Sequence, residues 1–194
     1  MVKKETRLQA YKECFSYIKE SRNYIYFTGL VFFLLFTIGF FIKTPDFLAQ
    51  QIKLILKNIV YSFQGLDLFE TIAYIFVNNF FVVLMGFLLG ILFGVFPFIS
   101  LILNGYIVGF VFKITSQQSG FFILWKILPY GLFELLAVFI GIGLYMKLGM
   151  SFFSRKKGEF FRRFILSAKT FLLIIIPLLL LAAFIEGILI YFLG

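Results

Sequence analysis

Residues 76–109 read FVNNFFVVLMGFLLGILFGVFPFISLILNGYIVG and contain no charged side chain. A transmembrane helix needs about 20 mostly apolar residues to cross about 30 Å of hydrocarbon, so this run is long enough for more than one crossing. Pro97 has no N–H donor and favours a turn or the first turn of a helix. We therefore predict two membrane helices that form a tight hairpin, broken around residues 95–97.

The composition of the whole chain agrees with a membrane setting. Hydrophobic residues make up 62% of the 194 residues and charged residues only 14%, and the chain has 31 Phe and 10 Tyr. A typical soluble domain is about 45–50% apolar and about 25% charged. We therefore predict an integral membrane protein of the all-α class, a polytopic helical bundle whose outer surface faces lipid.

Apolar runs of sufficient length recur along the chain and predict five membrane spans. Their approximate bounds are 24–42, 71–94, 96–114, 129–146 and 171–192. We assign residues 24–194 to a single transmembrane helical domain. The preceding residues, 1–23, form a basic and amphipathic cytoplasmic segment.

The distribution of basic residues predicts the orientation. Thirteen of the 18 Lys and Arg residues lie either before the first span or between the fourth and fifth spans. With five spans these two segments fall on the same side, and the positive-inside rule places that side in the cytoplasm. We expect a multi-pass protein of the cell membrane with its N-terminus cytoplasmic and Gly194 outside. The net charge of +9 indicates topology and contact with anionic lipid rather than with nucleic acid.

Two segments outside the spans have helical periodicity. The first segment carries apolar residues at helical spacing among Lys and Glu, which predicts an amphipathic helix on the inner leaflet. These apolar residues are Leu8, Tyr11, Phe15 and Ile18. Residues 45–64 predict an outer amphipathic helix, with Thr44 as the N-cap and Pro45 in the first turn. Either helix could bind the membrane surface or a partner protein.

Several chemistries are excluded by residue types that the chain lacks or has once. It has no His, which excludes a Ser-His-Asp triad, a His-ligated metal or haem, and a His proton relay. The single cysteine, Cys14, excludes an intramolecular disulfide and Cys-based metal cages. Cys14 is either a lipidation site or a small apolar residue of the amphipathic helix. We find no nucleophile-base pair and no phosphate loop, so we expect no enzyme, no metal and no cofactor.

Small residues recur at helical spacing within the predicted spans. They are Gly86, Gly90 and Gly94 in the second span, Gly105 and Gly109 in the third, and Gly131 and Gly141 in the fourth. Such stripes let helix backbones approach closely. They indicate either ordinary helix packing or a tight crossing that creates a cavity. In both cases we expect the stripes to face protein and the Phe-rich faces to face lipid.

Five side chains with an amide or carboxyl group interrupt the apolar spans: Asn78, Asn79, Asn104, Glu134 and Glu186. An amide in a membrane helix can clamp helices together or contact a substrate. A carboxylate in hydrocarbon is costly, so each Glu should face the bundle interior, find donors or take a proton. The two acids predict a proton or cation site, a polar lock between the fourth and fifth spans, or side chains close enough to the outer interface to remain wet.

The residues quoted above, taken together, resemble the stage II sporulation protein M family. The resemblance rests on the run at 76–109, on PYGLFELLAVFIG at 129–141, on PLLLLAAFIEG at 177–187 and on ESRNYIYF at 20–27. It covers residues from about 20 to 187 in the family's order. One departure is Tyr130. The family commonly has Pro-His-Gly at this place, so this chain lacks the imidazole and any role that depends on it.

The resemblance implies a multi-spanning membrane protein, best known as a scaffold for septal peptidoglycan-remodelling enzymes during engulfment. Members of the family also occur in organisms that form no spores, so the resemblance does not imply a role in sporulation. Two hypotheses follow. The first is a non-catalytic scaffold whose partners are the lipid bilayer, other membrane or envelope proteins, or further copies of the chain as a homo-oligomer. The second is a small transporter or channel that uses the five polar residues as an intramembrane path; internal repeats, which transporters often show, are not convincing here.

Overall fold

The computed structural model describes residues 6–90, 95–120 and 122–193, and it describes the side chains of these residues except for 119, 122–132 and 193. This part of the chain is 91% helical and contains no strand, which confirms the all-α prediction. Gly94 lies outside the described residues, as do the surroundings of Gly131.

Eight α-helices follow one another along the described chain. They are α1 (Arg7–Glu20), α2 (Arg22–Phe41), α3 (Asp46–Phe63), α4 (Leu68–Gly90), α5 (Val95–Ser119), α6 (Phe122–Gly149), α7 (Glu159–Thr170) and α8 (Ile176–Leu193). A 3-10 turn, Met150–Phe153, follows α6, and a π-helical segment, Phe171–Ile175, joins α7 to α8. The backbone stays in the right-handed helical region on both sides of that segment, so α7 and α8 form one continuous helix with a local widening.

Five of the described helical segments are long and apolar enough to cross a membrane, as predicted. They comprise α2, α4, α5, α6 and the α7–α8 helix. Helix α5 begins at Val95, so Pro97 lies in its first turn, one of the two positions predicted for it. A proline suits this position because its missing N–H would have no partner in a first turn.

Helix α6 begins before the predicted fourth span. Helix α6 starts at Phe122 rather than near residue 129, so Pro129 lies inside the helix. A proline removes one backbone hydrogen bond, which membrane helices tolerate when surrounding groups compensate. Helix α5 likewise runs to Ser119 rather than to residue 114.

Helix α6 is the centre of the bundle. It contacts α2, α4, α5 and α8, and the two most extensive contacts among the outer helices join α2 to α5 and α4 to α8. About 56% of the apolar window of α6 is buried, against 22–28% for the other four spans. Most residues of the other four spans are therefore not fully buried within the bundle.

Two apolar cores lie on opposite sides of α6. One joins α2, α5 and α6 around Phe32 and Leu101, and the other joins α4, α6 and α8 around Phe87, Tyr145 and Ile175. The expectation that aromatic rings face lipid is wrong for Phe87. Its ring is buried and stacks on Phe164 and Phe171, at centroid distances of 5.5 and 5.9 Å.

The two amphipathic helices lie where the sequence predicts, but their contacts differ from expectation. Thr44 is not the N-cap of α3; Pro45 takes that position without a side-chain hydrogen bond, and the Thr44 hydroxyl bonds that of Tyr106 at 3.0 Å. In α1, Cys14 is fully buried against neighbouring helices, which favours its interpretation as a packing residue. Leu8 and Phe15 point outward and are about two-thirds exposed, at 66% and 60%.

Candidate functional site

The closest helix crossing is that of α2 with α5, and glycines make it. Gly105 faces the backbone of Phe32, where an added Cβ would lie 2.8 Å from the carbonyl oxygen. Gly109 faces the backbone of Phe36 so closely that a Cβ would overlap its carbonyl group. Gly39 makes the same approach from α2 toward Tyr106. The sequence analysis missed Gly39 because no second small residue stands four positions away.

The glycines of α4 and α6 surround an aromatic ring instead of another backbone. A Cβ on Gly90 would lie 2.8 Å from Cβ of Tyr145, while Gly86 and Gly141 face the Tyr145 ring, at 3.5 and 3.3 Å for the same added atom. The tyrosine ring thus occupies the space that these glycines leave. Its buried hydroxyl has no hydrogen-bond partner within the described residues.

Two further close approaches were missed by the sequence analysis. A Cβ on Gly187 of α8 would lie 2.5 Å from Ile72 of α4, and one on Gly143 of α6 would lie 2.8 Å from Ile25 of α2. Both glycines occur singly, without the four-residue repeat that drew attention to the stripes. Each of the two contacts presses a glycine against a β-branched side chain of the facing helix.

Three of the five predicted polar residues come together, one from each of α4, α6 and α8. The Asn79 amide is within hydrogen-bonding reach of the Glu134 carboxyl group. Glu186 lies near enough to Glu134 for the two carboxyl groups to repel when ionised. The Glu186 Oε2 atom is buried and has no hydrogen-bond partner among the described residues. We call Asn79, Glu134 and Glu186 the intramembrane cluster.

The other two predicted polar residues lie outside this cluster: Asn78 is beside it and Asn104 is away from it. Asn78 is on the exposed side of α4, where its Nδ2 atom is 3.5 Å from Oδ1 of Asn79. It lines a shallow apolar depression with Ala73, Tyr74, Val77 and Phe81. Asn104 is exposed on α5 and donates its Nδ2 protons within its own helix, to the Ser100 carbonyl oxygen at 2.8 Å and hydroxyl at 3.2 Å. The five residues therefore do not line one path.

The chemistry open to the intramembrane cluster is limited to its two carboxyl groups and one amide. Two like charges at close range in a low dielectric are costly, so a proton or a monovalent cation shared between them would stabilise the pair. The described residues contain no group of three His, Cys, Asp or Glu side chains that could hold a metal ion. The cluster can therefore act as a polar lock or as a proton or cation site.

A second polar network, which the sequence analysis missed, closes the end of the bundle that carries α1 and α7. The Lys147 ammonium is buried and donates to Glu20 Oε1 at 2.8 Å and to Ser21 Oγ at 3.0 Å. It also lies 4.6 Å from the centre of the Tyr17 ring. We call this region the basic end.

Arginines complete the network at the basic end. Arg162 binds both oxygens of Glu20, at 2.9 and 3.2 Å, and Arg162 and Arg163 both bind Glu159. Arg163 also donates to the Lys147 carbonyl oxygen at 2.6 Å. The hydrogen bond from Arg162, aided by Lys147, lowers the pKa of Glu20 to about 2. Burial raises the pKa of Tyr17 to about 12.

No local sequence signal could have found this network. Glu20 and Lys147 are separated by 127 positions, and basic residues at the end of a span are expected from topology alone. The ion pairs tie α1 and α7 to the end of α6. They show that the two most basic segments of the chain lie at the same end of the bundle.

The fold and these two polar regions define the class: an all-helical, multi-pass membrane protein with a buried polar cluster. A family profile described as Stage II sporulation protein M matches residues 24–189. Since this match spans nearly the whole chain, the protein belongs to the stage II sporulation protein M family. No curated protein and no solved structure matches the chain.

Proposed function

We propose that the protein is a non-catalytic membrane scaffold that organises membrane and envelope-remodelling partners. Its membership of the stage II sporulation protein M family supports this proposal, as do the two apolar cores on either side of α6. The observation on which the proposal rests is that the five polar residues of the spans do not all lie together. Asn104 lies on an outward surface of α5, apart from the intramembrane cluster, so a continuous polar path does not join the five side chains.

The glycine stripes pack against helices of the same chain, so partners would have to bind other surfaces. Gly86, Gly90, Gly105 and Gly109 all face helices of the same chain. Helix α3, in contrast, shares no broad contact with another helix among the described residues. It meets the bundle through Ile52, which is buried, and through Phe63, whose ring lies 5.1 Å from that of Tyr74.

Helix α3 leaves most of its apolar side chains uncovered. The uncovered ones are Phe47, Leu48, Leu54, Ile55, Ile59, Val60 and Tyr61. An amphipathic helix with this pattern binds either a membrane surface or the groove of a partner protein. In a scaffold, α3 is the element that we expect to engage an envelope partner.

We also infer the orientation, with the basic end in the cytoplasm and α3 outside. The clustering of α1 and α7 at one end supports this inference, since both basic segments then face the same compartment. Reporter fusions at the two termini should report opposite compartments. Two reporters on the same side would contradict the orientation.

The scaffold proposal is tested by a photo-crosslinking amino acid placed on α3. At Ile55, which is 52% exposed, we expect adducts with one or a few discrete proteins in cells that make the protein natively. The same amino acid at Phe184, which is 54% exposed on the lipid side of α8, is the matched control and should give mainly lipid adducts. Lipid adducts alone at both positions would contradict recruitment through α3.

A proton- or cation-coupled transporter is the second candidate function. The observation that favours it is the gathering of Asn79, Glu134 and Glu186 from three helices. Purified protein in liposomes should show no proton or cation flux above empty liposomes if the scaffold proposal is correct. A flux that is lost in a folded Glu134→Gln variant would place the transporter first.

A further inference from the structure

A polar depression lies at the junction of α1 and α2, at the basic end. It is lined by Ser16, Lys19, Glu20, Arg22 and Asn23, and has a volume of about 460 Å³. Pockets of roughly 300–1,000 Å³ hold small molecules, so this volume suits a polar headgroup. We call this depression the elbow site.

The elbow site has a surplus of positive charge. Its one acid, Glu20, is already paired with Lys147 at 2.8 Å and Arg162 at 2.9 Å. Neither Lys19 nor Arg22 forms an ion pair within the part of the chain that the structure describes. Two cations are therefore available to an anion that enters the depression.

An exposed apolar stripe begins directly beside the elbow site. Tyr26 and Leu30 follow Arg22 at intervals of four residues on α2, which places all three on one helix face. Tyr26 is 71% exposed, Leu30 is 66% exposed and Leu34, one further turn along, is 56% exposed. A cationic depression that continues into an apolar stripe is complementary to an anionic phospholipid, which has a charged headgroup and apolar chains.

We propose that the elbow site binds the headgroup of an anionic phospholipid whose acyl chains lie along Tyr26, Leu30 and Leu34. The Arg22 guanidinium offers two parallel donors to a phosphate, and Lys19 adds a compact charge. The Ser16 hydroxyl and the Asn23 amide can donate to the remaining phosphate or glycerol oxygens. The apolar stripe favours a lipid over free phosphate, because phosphate gains nothing from that surface.

The site goes beyond a general attraction of basic residues to the membrane. A general attraction depends on the number of charges near the surface, whereas the elbow site depends on two particular ones. The site would make the stability of the α1–α2 junction, and of the Glu20 network beside it, depend on the lipid composition of the membrane.

The test is native mass spectrometry of the full chain in detergent, offered equal amounts of phosphatidylglycerol and phosphatidylcholine. We expect the natural sequence to retain phosphatidylglycerol preferentially. The double variant Lys19→Gln/Arg22→Gln should bind it roughly 25-fold more weakly, since each basic residue near an anionic surface contributes about fivefold. The control, Lys12→Gln/Lys156→Gln, removes the same charge from other exposed positions and should keep the preference.

A second measurement needs no variant. Short-chain phosphatidylglycerol should raise the melting temperature of the natural protein, whereas short-chain phosphatidylcholine and inorganic phosphate should not. Equal weakening in both double variants, or equal retention of the two lipids, would overturn the proposal in favour of diffuse attraction. Stabilisation by inorganic phosphate equal to that by phosphatidylglycerol would also overturn it, because the site would then recognise phosphate alone.

Discussion

At the basic end the Glu20 carboxylate contacts the ammonium of Lys147 and the guanidinium of Arg162, whereas in the intramembrane cluster Glu134 reaches an amide and lies near the like charge of Glu186. Both regions join three helices through side chains that are far apart in the sequence. At the basic end Glu20 and Glu159 each have a cation within 3 Å, while the described neighbours of the membrane acids include none.

The difference teaches what each region can do. An acid held between fixed cations stays ionised over the physiological range and acts as a lock. Two acids that share a hydrocarbon environment without a cation can lower their cost only through a proton, a bound cation or neutral donors. The basic end is therefore held by fixed ion pairs, whereas the acids of the intramembrane cluster have no such pair among the described residues.

The largest expected effect tests whether backbone packing, rather than either polar region, places the helices. Gly109→Ala should destabilise the protein by about 3 kcal/mol, because the new Cβ would overlap the Phe36 backbone. Gly29→Ala is the matched control: its Cβ would come no closer than 4.0 Å to the Phe139 ring, and we expect a change below about 0.5 kcal/mol. Denaturant unfolding in detergent measures both free energies of unfolding. Equal values for the two variants would contradict the claim that close backbone packing places the helices.

The next effect tests the lock at the basic end. Glu20→Gln should cost about 2 kcal/mol, because the buried Lys147 ammonium loses its charged partner. This cost is smaller than the cost of breaking a fully buried ion pair, because the Glu20 side chain is 45% exposed. Glu13→Gln removes a pair with Lys169, whose side chain is 30% exposed against 5% for Lys147, and should cost less than about 1 kcal/mol. If the two variants unfold at the same denaturant concentration, the network is not a lock.

The third effect tests the intramembrane cluster. Glu134→Leu should cost about 1–2 kcal/mol because it leaves the Asn79 amide unpaired, whereas Glu134→Gln keeps a hydrogen-bonding side chain and should cost less. Asn104→Leu is the control on an exposed face and should be nearly neutral, because that amide bonds only its own helix. A Gln variant as unstable as the Leu variant would mean that the cluster requires the charge itself.

The smallest effect is a pH dependence confined to the basic end. The pKa of Glu20 falls from an ordinary value of 4.5 to about 2 in the folded protein. Its contribution to stability is therefore fully present above pH 4.5 and is lost as the pH falls toward 2. Unfolding measured across this range should show a shallower acid decline in Glu20→Gln than in the natural protein. An identical decline in the two proteins would mean that Glu20 does not cause the loss of stability in acid.

The sequence analysis predicted the number of spans well and their ends less well. Long apolar runs are a direct consequence of hydrocarbon thickness, so five of them could be read from the chain. Helix α6 begins before Pro129, because a proline marks a helix boundary only when no neighbouring group satisfies the freed backbone, whereas Pro97 does lie in the first turn of α5 as predicted.

The candidate site was predicted in part. The sequence singled out Asn79, Glu134 and Glu186 because polar groups are rare in hydrocarbon, and these three meet. By the same criterion it singled out Asn78 and Asn104, which face outward. Residue type alone cannot distinguish the inner from the outer face when both are apolar.

The sequence by itself determined the class of protein, the membrane setting and the family, since these follow from composition, run length and motif order along the chain. Only the tertiary structure decided that Phe87 is core while other rings face lipid, that Gly39 and Gly187 are contact points, and that Glu20 binds Lys147. The physical reason is that lipid and protein interior are equally apolar. Which face of a membrane helix meets another helix is therefore set by shape and hydrogen bonding between distant residues, and the hydrophobic pattern does not record it.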